Sequence, residues 1–264
     1  MNGAMLYWPS PNTLYVEGYA LDQWAAGRLD LCPVNVGGQK IGLVLDSAIE
    51  KDQRLRHIQV CNGARATLGL DVTEYIVTEE SLGVTLGLSP SGASYGTLSR
   101  PDSLLRASRV LVEERGCTAL AIVGKFPDDE DEVMLEAYRH GDGVDCVGGA
   151  EAIISHIVSQ DLMVPCAHAP ALPPLEVDEG VSPRSAAEEL GYTFLPCVLA
   201  NLCRAPNLVS AGTAEAVAAS HVDAVVVPAS ACGGQCLPSI PYSSAPCALI
   251  TCMLTSISPH LCLF

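Results

Sequence analysis

Apolar residues recur along the chain in two alternating patterns, short unbroken runs and helical stripes. Lys40-Ile-Gly-Leu-Val-Leu-Asp46, Thr118-Ala-Leu-Ala-Ile-Val-Gly124 and His221-Val-Asp-Ala-Val-Val-Val-Pro228 are apolar on both faces, as strands buried in a parallel sheet are. Shorter runs predict strands at 13–17, 75–78 and 84–86. A helix is predicted over 50–68, with Leu55, Ile58 and Ala66 on one face and Gly69 as its stop. Pro101 opens another, with Leu104, Leu105, Ser108, Leu111 and Val112 at helical spacing and Gly116 at its close. A third covers 150–160, with Ile153, Ile154, Ile157 and Val158 in one stripe. Further helices are expected at 19–26, from the acidic run at 128–132 through Tyr138, from Pro183 towards Glu189, and at 191–203 and 211–220. Residues 89–97 read as a loop of small residues. Strands alternating with helices of this length predict an α/β fold, a mainly parallel sheet with helices on both faces.

Composition refines that picture. Hydrophobic residues make up 49% of the chain but aromatics only 5%, so the core must be built from Ala, Val, Leu and Ile. Thirty acidic residues against fourteen basic ones give a formal net charge of −16, which repels phosphate backbones and anionic membranes. Nucleic acid and membrane are therefore excluded as partners, which leaves a small-molecule ligand or a protein partner. The sequence leaves the oligomeric state open. The 12 cysteines are scattered, without repeated spacing. Cys32, Cys61, Cys117, Cys146, Cys197 and Cys203 sit among apolar neighbours and read as small hydrophobes in a reducing compartment.

The candidate chemistry centres on Met163-Val-Pro-Cys-Ala-His-Ala-Pro-Ala171. On a strand, Cys166 and His168 are two apart and share a face, and a thiol beside an imidazole is the minimal activated nucleophile. The plainer alternative is a core cysteine beside a histidine bonded to a loop carbonyl. Cys232 follows the strand at 221–228, and Asp128, Asp129 and Glu130 follow the strand at 118–124. Ligands in open α/β sheets bind at the carboxyl ends of strands. These carboxylates suit Mg²⁺ binding or acid/base work, or simply complement a helix dipole; Asp46 shares the ambiguity. Ser91, Gly92 and Ser94 form a backbone-lined turn suited to an anionic group of a cofactor. Gly92-Ala-Ser-Tyr-Gly96 matches a hydrolase nucleophile elbow, but Pro90 precedes it and no helix follows at once. No phosphate-binding loop, zinc-protease, EF-hand or dinucleotide fingerprint occurs, so neither cofactor nor metal is identified.

Asn2-Gly-Ala-Met-Leu-Tyr-Trp-Pro9, Pro90-Ser-Gly-Ala-Ser94, Phe126-Pro-Asp-Asp-Glu130, Cys166-Ala-His-Ala-Pro-Ala171, Gly191-Tyr-Thr-Phe-Leu-Pro-Cys197 and Ala231-Cys-Gly-Gly234 resemble an uncharacterised domain family of cyanobacteria and photosynthetic eukaryotes. The likeness runs from residue 1 to about 234. It implies a plastid stroma or cyanobacterial cytoplasm and no established activity. It also implies a partial domain, lacking a glycine-rich segment before it and an αβ unit after it. The strand-then-Cys232 pattern is similar to aspartate/glutamate racemases, although the partner cysteine is replaced by Ser91 and Ser94. The expected function is an enzyme on a small polar metabolite using His168, Cys166 or Cys232, and Asp128 and Asp129. The rival is a non-catalytic plastid protein that binds a metabolite or a partner.

Residues 224–264 contain no Asp, Glu, Lys or Arg, and the part beyond Gly234 is rich in Cys, Pro and Ser. Residues 245–264 have the length of a membrane span, but Pro246, Pro259 and the lack of flanking positive charge oppose it. The expectation is an α/β domain over 1–234 and a tail over 235–264 that is out of frame or intron-derived. Transcript reads should then break frame or splice at the Gly234 codon. Uninterrupted in-frame reads to Phe264 would refute it.

Overall fold

The computed structural model describes residues 13–35, 37–127, 132–172, 176–189, 194–228 and 248–252. In chain order these form α1 Gly18–Ala25, β1 Leu29–Cys32, β2 Lys40–Leu45, α2 Lys51–Leu68, β3 Asp71–Val77, β4 Val84–Leu88 and β5 Ser94–Leu98. There follow α3 Pro101–Arg109 with a π-helical extension Val110–Glu114, β6 Ala119–Gly124, α4 Glu132–Arg139, α5 Gly148–Leu162 and β7 Cys166–Pro170. The remainder are α6 Pro183–Glu189, α7 Leu195–Leu202, β8 Asn207–Ser210, β9 Ala224–Pro228 and β10 Ala248–Cys252.

The centre is a four-stranded parallel sheet in the order β3-β2-β6-β7. Every residue of β6 is buried, and so is all of β2 except Lys40, as expected for strands apolar on both faces. One core layer packs Ile41, Leu43, Ala121 and Ala169 against α2 and α7; the other packs Val44, Ile122 and Cys166 against α3 and α5. Each fully buried Ile or Leu contributes about 1.5–3 kcal/mol relative to exposure. Around this sheet lie an antiparallel β4–β5 hairpin, an antiparallel β1–β8 pair and a parallel β9–β10 pair.

Four sequence expectations are corrected. Residues 13–17 form no strand; they lead to the N-cap of α1. The loop at 89–97 is the turn of a hairpin whose second arm begins at Ser94. Residues 211–220 make turns and a bridge from Val217 to Leu31 rather than a helix, after β8, which escaped notice along with β1. β1 and β8 are short, and each is stabilised by the other across most of the chain. In α2 the buried face is His57, Cys61 and Ala64, while Leu55 is 54% exposed. Gly69 ends that helix in the left-handed region, at φ 66°.

The carboxyl edge of the sheet is tied by Asp46, which is fully buried just past β2. Its Oδ1 accepts from the amides of Ala48 (3.0 Å) and Leu82 (3.2 Å), and its Oδ2 from that of Lys125 (3.2 Å). The carboxylate thus joins the connections that follow β2, β3 and β6. Asp46→Ala leaves those amides without an acceptor and should cost at least about 3 kcal/mol, read as a lowered urea midpoint. Asp46→Asn, which keeps one oxygen, should cost less.

Candidate functional site

Five polar side chains from three elements meet between α1, α5 and β7. Glu17 caps α1: its Oε2 accepts from the amides of Tyr19 (2.7 Å) and Ala20 (3.3 Å). Its Oε1 turns to α5, where the Ser155 hydroxyl lies at 3.2 Å and His156 Nδ1 at 2.7 Å. The His156 contact is too bent for a regular hydrogen bond and is best described as an ion pair. Gly18 makes this approach feasible, since a Cβ there would sit 2.8 Å from His156 Cε1. From β7, His168 Nδ1 reaches Ser155 Oγ at 3.0 Å, and its Nε2 lies 3.7 Å from Glu151 Oε2.

The donors can be assigned. Ser155 has one proton, and besides His168 its Oγ faces a carboxylate oxygen of Glu17 and the Ala152 carbonyl at 3.3 Å, both acceptors. It therefore donates to one of them and accepts from His168 Nδ1–H. That leaves Nε2 of the neutral ring with its lone pair, beside Glu151. A proton taken up at Nε2 would meet the Glu151 carboxylate, which favours the charge so formed.

The two imidazoles are tuned in opposite directions. Although 28% of the His168 side chain is open, burial pushes its pKa down to about 4, against the attraction of Glu17 and with the help of His156. His156 is raised above its usual value by its contact with Glu17, which outweighs partial burial. At neutral pH His168 is a neutral ring of fixed tautomer.

Cys166 does share the α5-facing side of β7 with His168, but it packs among Leu120, Ile122, Ile154 and Val158. It is fully buried, and burial, with Glu17 nearby, pushes its thiol well above the ordinary value. A neutral thiol in that setting is a small hydrophobe, not a nucleophile. Tyr15 closes the same end by donating to the Cys166 carbonyl at 3.0 Å. Cys232, Asp128 and Asp129 lie outside the described residues.

Ser91 and Gly92 are in the hairpin turn, away from this cluster in bonding. The Gly92 amide donates to the Ser89 carbonyl (2.9 Å) and the Ala93 amide to Ser89 Oγ (3.0 Å), so neither is free for an anion. Ser94 accepts from the Gly149 amide at 3.2 Å, fixing the hairpin to the start of α5. A strand follows Ser94, which rules out a nucleophile elbow.

Glu17, Glu151, Ser155 and His156 went unnoticed in the sequence. A signal existed on α5: Glu151, Ser155 and Ser159, spaced i, i+4, i+8, form a buried polar stripe beside the apolar one. An acid directly before a helix was the other, at Glu17.

These features define an α/β domain with an inward-facing histidine held by a hydroxyl–carboxylate chain at one edge of its sheet. The chain belongs to the family described as "Protein of unknown function (DUF3326)", which matches residues 1–256. It is 56% identical over 236 residues to an uncharacterized lipoprotein of Synechococcus sp.. That stretch is 89% of this chain and 65% of the relative, so the chain spans under two thirds of the relative's length. No solved structure matches the chain. Among the described residues no helix is long and apolar enough to cross a membrane.

The opposed histidines give a pH prediction. For His168 the native pKa lies below the unfolded one, so only the unfolded chain binds the proton between about pH 6.5 and about 4. Stability should fall as pH is lowered through that window, by an upper limit on the order of 3 kcal/mol from this group. For His156 the sign reverses: its contribution is present below pH 6.5 and is lost as pH rises through its raised native pKa. Imidazole NMR titration should show His168 titrating near 4 and His156 above the ordinary value. In urea unfolding, His168→Gln should shallow the acid loss relative to the parent chain.

Proposed function

We propose that the domain is an enzyme acting on a small polar metabolite, with His168 Nε2 as the proton acceptor and donor. The observation that carries this reading is the chain from Glu17 through Ser155 to His168, with contacts of 3.2 Å and 3.0 Å. Ser155 and Glu17 are positioning residues: they fix the tautomer and leave Nε2 as the reactive atom. Glu151 is the counter-charge for the imidazolium formed on proton uptake. A pKa near 4 makes His168 a weak base but, once protonated, a strong acid, which suits proton return to a leaving or carbanionic atom. Asp128 and Asp129, which follow β6 in the sequence, stay the proposed carboxylates, and Cys232, which follows β9, the proposed thiol.

A second reading, a non-catalytic protein that binds a metabolite or a partner, draws on the relative called a lipoprotein. It sets the domain at a membrane surface through a lipid, in place of the plastid stroma or cyanobacterial cytoplasm.

The two readings separate by mutation. Small molecules retained by the full chain are identified by mass spectrometry and offered back as substrates. His168→Ala should lower turnover by about 10²–10⁴-fold while the thermal midpoint stays near that of the parent. Ser155→Ala should lower kcat more than it raises KM. A retained ligand that the parent chain never converts supports the binding reading. Collapse of folding in both His168→Ala and His168→Gln makes the residue structural.

A further inference from the structure

Among the described residues, one set of three metal-ligating side chains has its ligand atoms within 4.8 Å of one another: Glu136, His140 and Asp178. Glu136 and His140 are one turn apart on and just past α4, so they share a helix face. Asp178 comes from the connection after β7. Because α4 follows β6, the ligands belong to the segments leaving the carboxyl ends of two adjacent parallel strands, where open α/β sheets place their ligands.

The local geometry presents the right atoms. His140 Nδ1 lies 2.8 Å from the Glu136 carbonyl, an acceptor only, so it carries the proton and aims Nε2 outward. A backbone carbonyl on the far ring nitrogen is the usual support for an imidazole that ligates through Nε2. Nε2 is 2.8 Å from Asp178 Oδ2, and Asp178 Oδ1 is tethered by the Gly180 amide at 2.7 Å. Glu136 turns Oε1 to the Nδ1 side of His140, at 3.4 Å, and Oε2 to Arg139 Nη1 at 3.4 Å. The Arg139 guanidinium is held more closely by Glu189 (3.0 Å) and the Glu176 carbonyl (2.7 Å). Gly180 is needed beside it, since a Cβ there would come 2.9 Å from His140 Nε2.

We propose that Glu136, His140 and Asp178 bind a divalent transition-metal ion, with water in the remaining positions. Two carboxylates and one neutral imidazole balance a +2 charge, and the mixed O/N donor set fits Mn²⁺ or Zn²⁺. The side chains keep 31–53% exposure, which leaves the ion's open positions accessible to water or to a substrate oxygen. This site does not depend on the role given to His168.

Mn²⁺ is the discriminating probe, because its preference for oxygen and imidazole keeps it off the thiols of the chain. Titration calorimetry and Mn²⁺ electron paramagnetic resonance on the full chain at pH 7.5 should give one ion per chain. His140→Ala, Glu136→Gln and Asp178→Asn should each weaken binding by at least about tenfold, with circular dichroism melts confirming a folded domain. His221→Ala, at an exposed histidine elsewhere, should leave it unchanged. The proposal is overturned if the parent chain binds Mn²⁺ no tighter than about 1 mM. Binding that survives all three substitutions overturns it equally, and the triad is then an ion pair alone.

Discussion

A carboxylate taken out of water at position 17 is tolerated only if its charge is met on several sides, because an unpaired buried charge costs several kcal/mol. Glu17 meets that condition with two amides of α1 on one oxygen and a hydroxyl and an imidazole of α5 on the other. The same carboxylate therefore starts α1, ties it to α5 and, through Ser155, orients the ring on β7. Trp24 Nε1, donating to the Val217 carbonyl at 2.8 Å, holds the other end of α1. Removing the charge at 17 would loosen a helix junction and a histidine together.

Asp46 plays a comparable part at the carboxyl edge of the sheet, but its chemistry ends there. Its carboxylate accepts from three backbone amides, and so serves to join loops. Glu17 differs because one of its oxygens faces titratable and hydroxyl side chains. Two buried acids of similar exposure thus divide into one that ties backbone and one that organises a chain of side chains. His168 and His156 divide in a related way: both feel Glu17, but burial dominates for one and the direct contact for the other.

Much of the fold was legible. Runs apolar on both faces, at 40–46 and 118–124, are the two central strands, where neighbours in the sheet and helices on both sides hide them. Pro101, Gly69 and Pro183 marked helix ends because their backbone preferences act locally. The spacing of Cys166 and His168 put both on one side of β7, since strand alternation is also local. Among the strands that were missed, β1 and β8 are short and owe their order to partners far off in the chain, as Leu29 does to Ser210, whereas β5 pairs with the adjacent β4 and was hidden by its small, turn-like residues.

The sequence alone determined the class of fold, the strand carrying His168 and the face on which it lies, because periodicity and backbone preference are properties of neighbouring residues. It also fixed a net charge of −16 and so the kinds of partner that charge repels. Tertiary structure decided what His168 touches, since Glu17 and His168 are brought together only when α1 and β7 pack on the same helix. It likewise turned Cys166 into a core residue, because the thiol's ionisation depends on how far packing removes it from water. Which carboxylate is a tie and which is a partner to a base depends on distance in space, and spacing along the chain does not encode that.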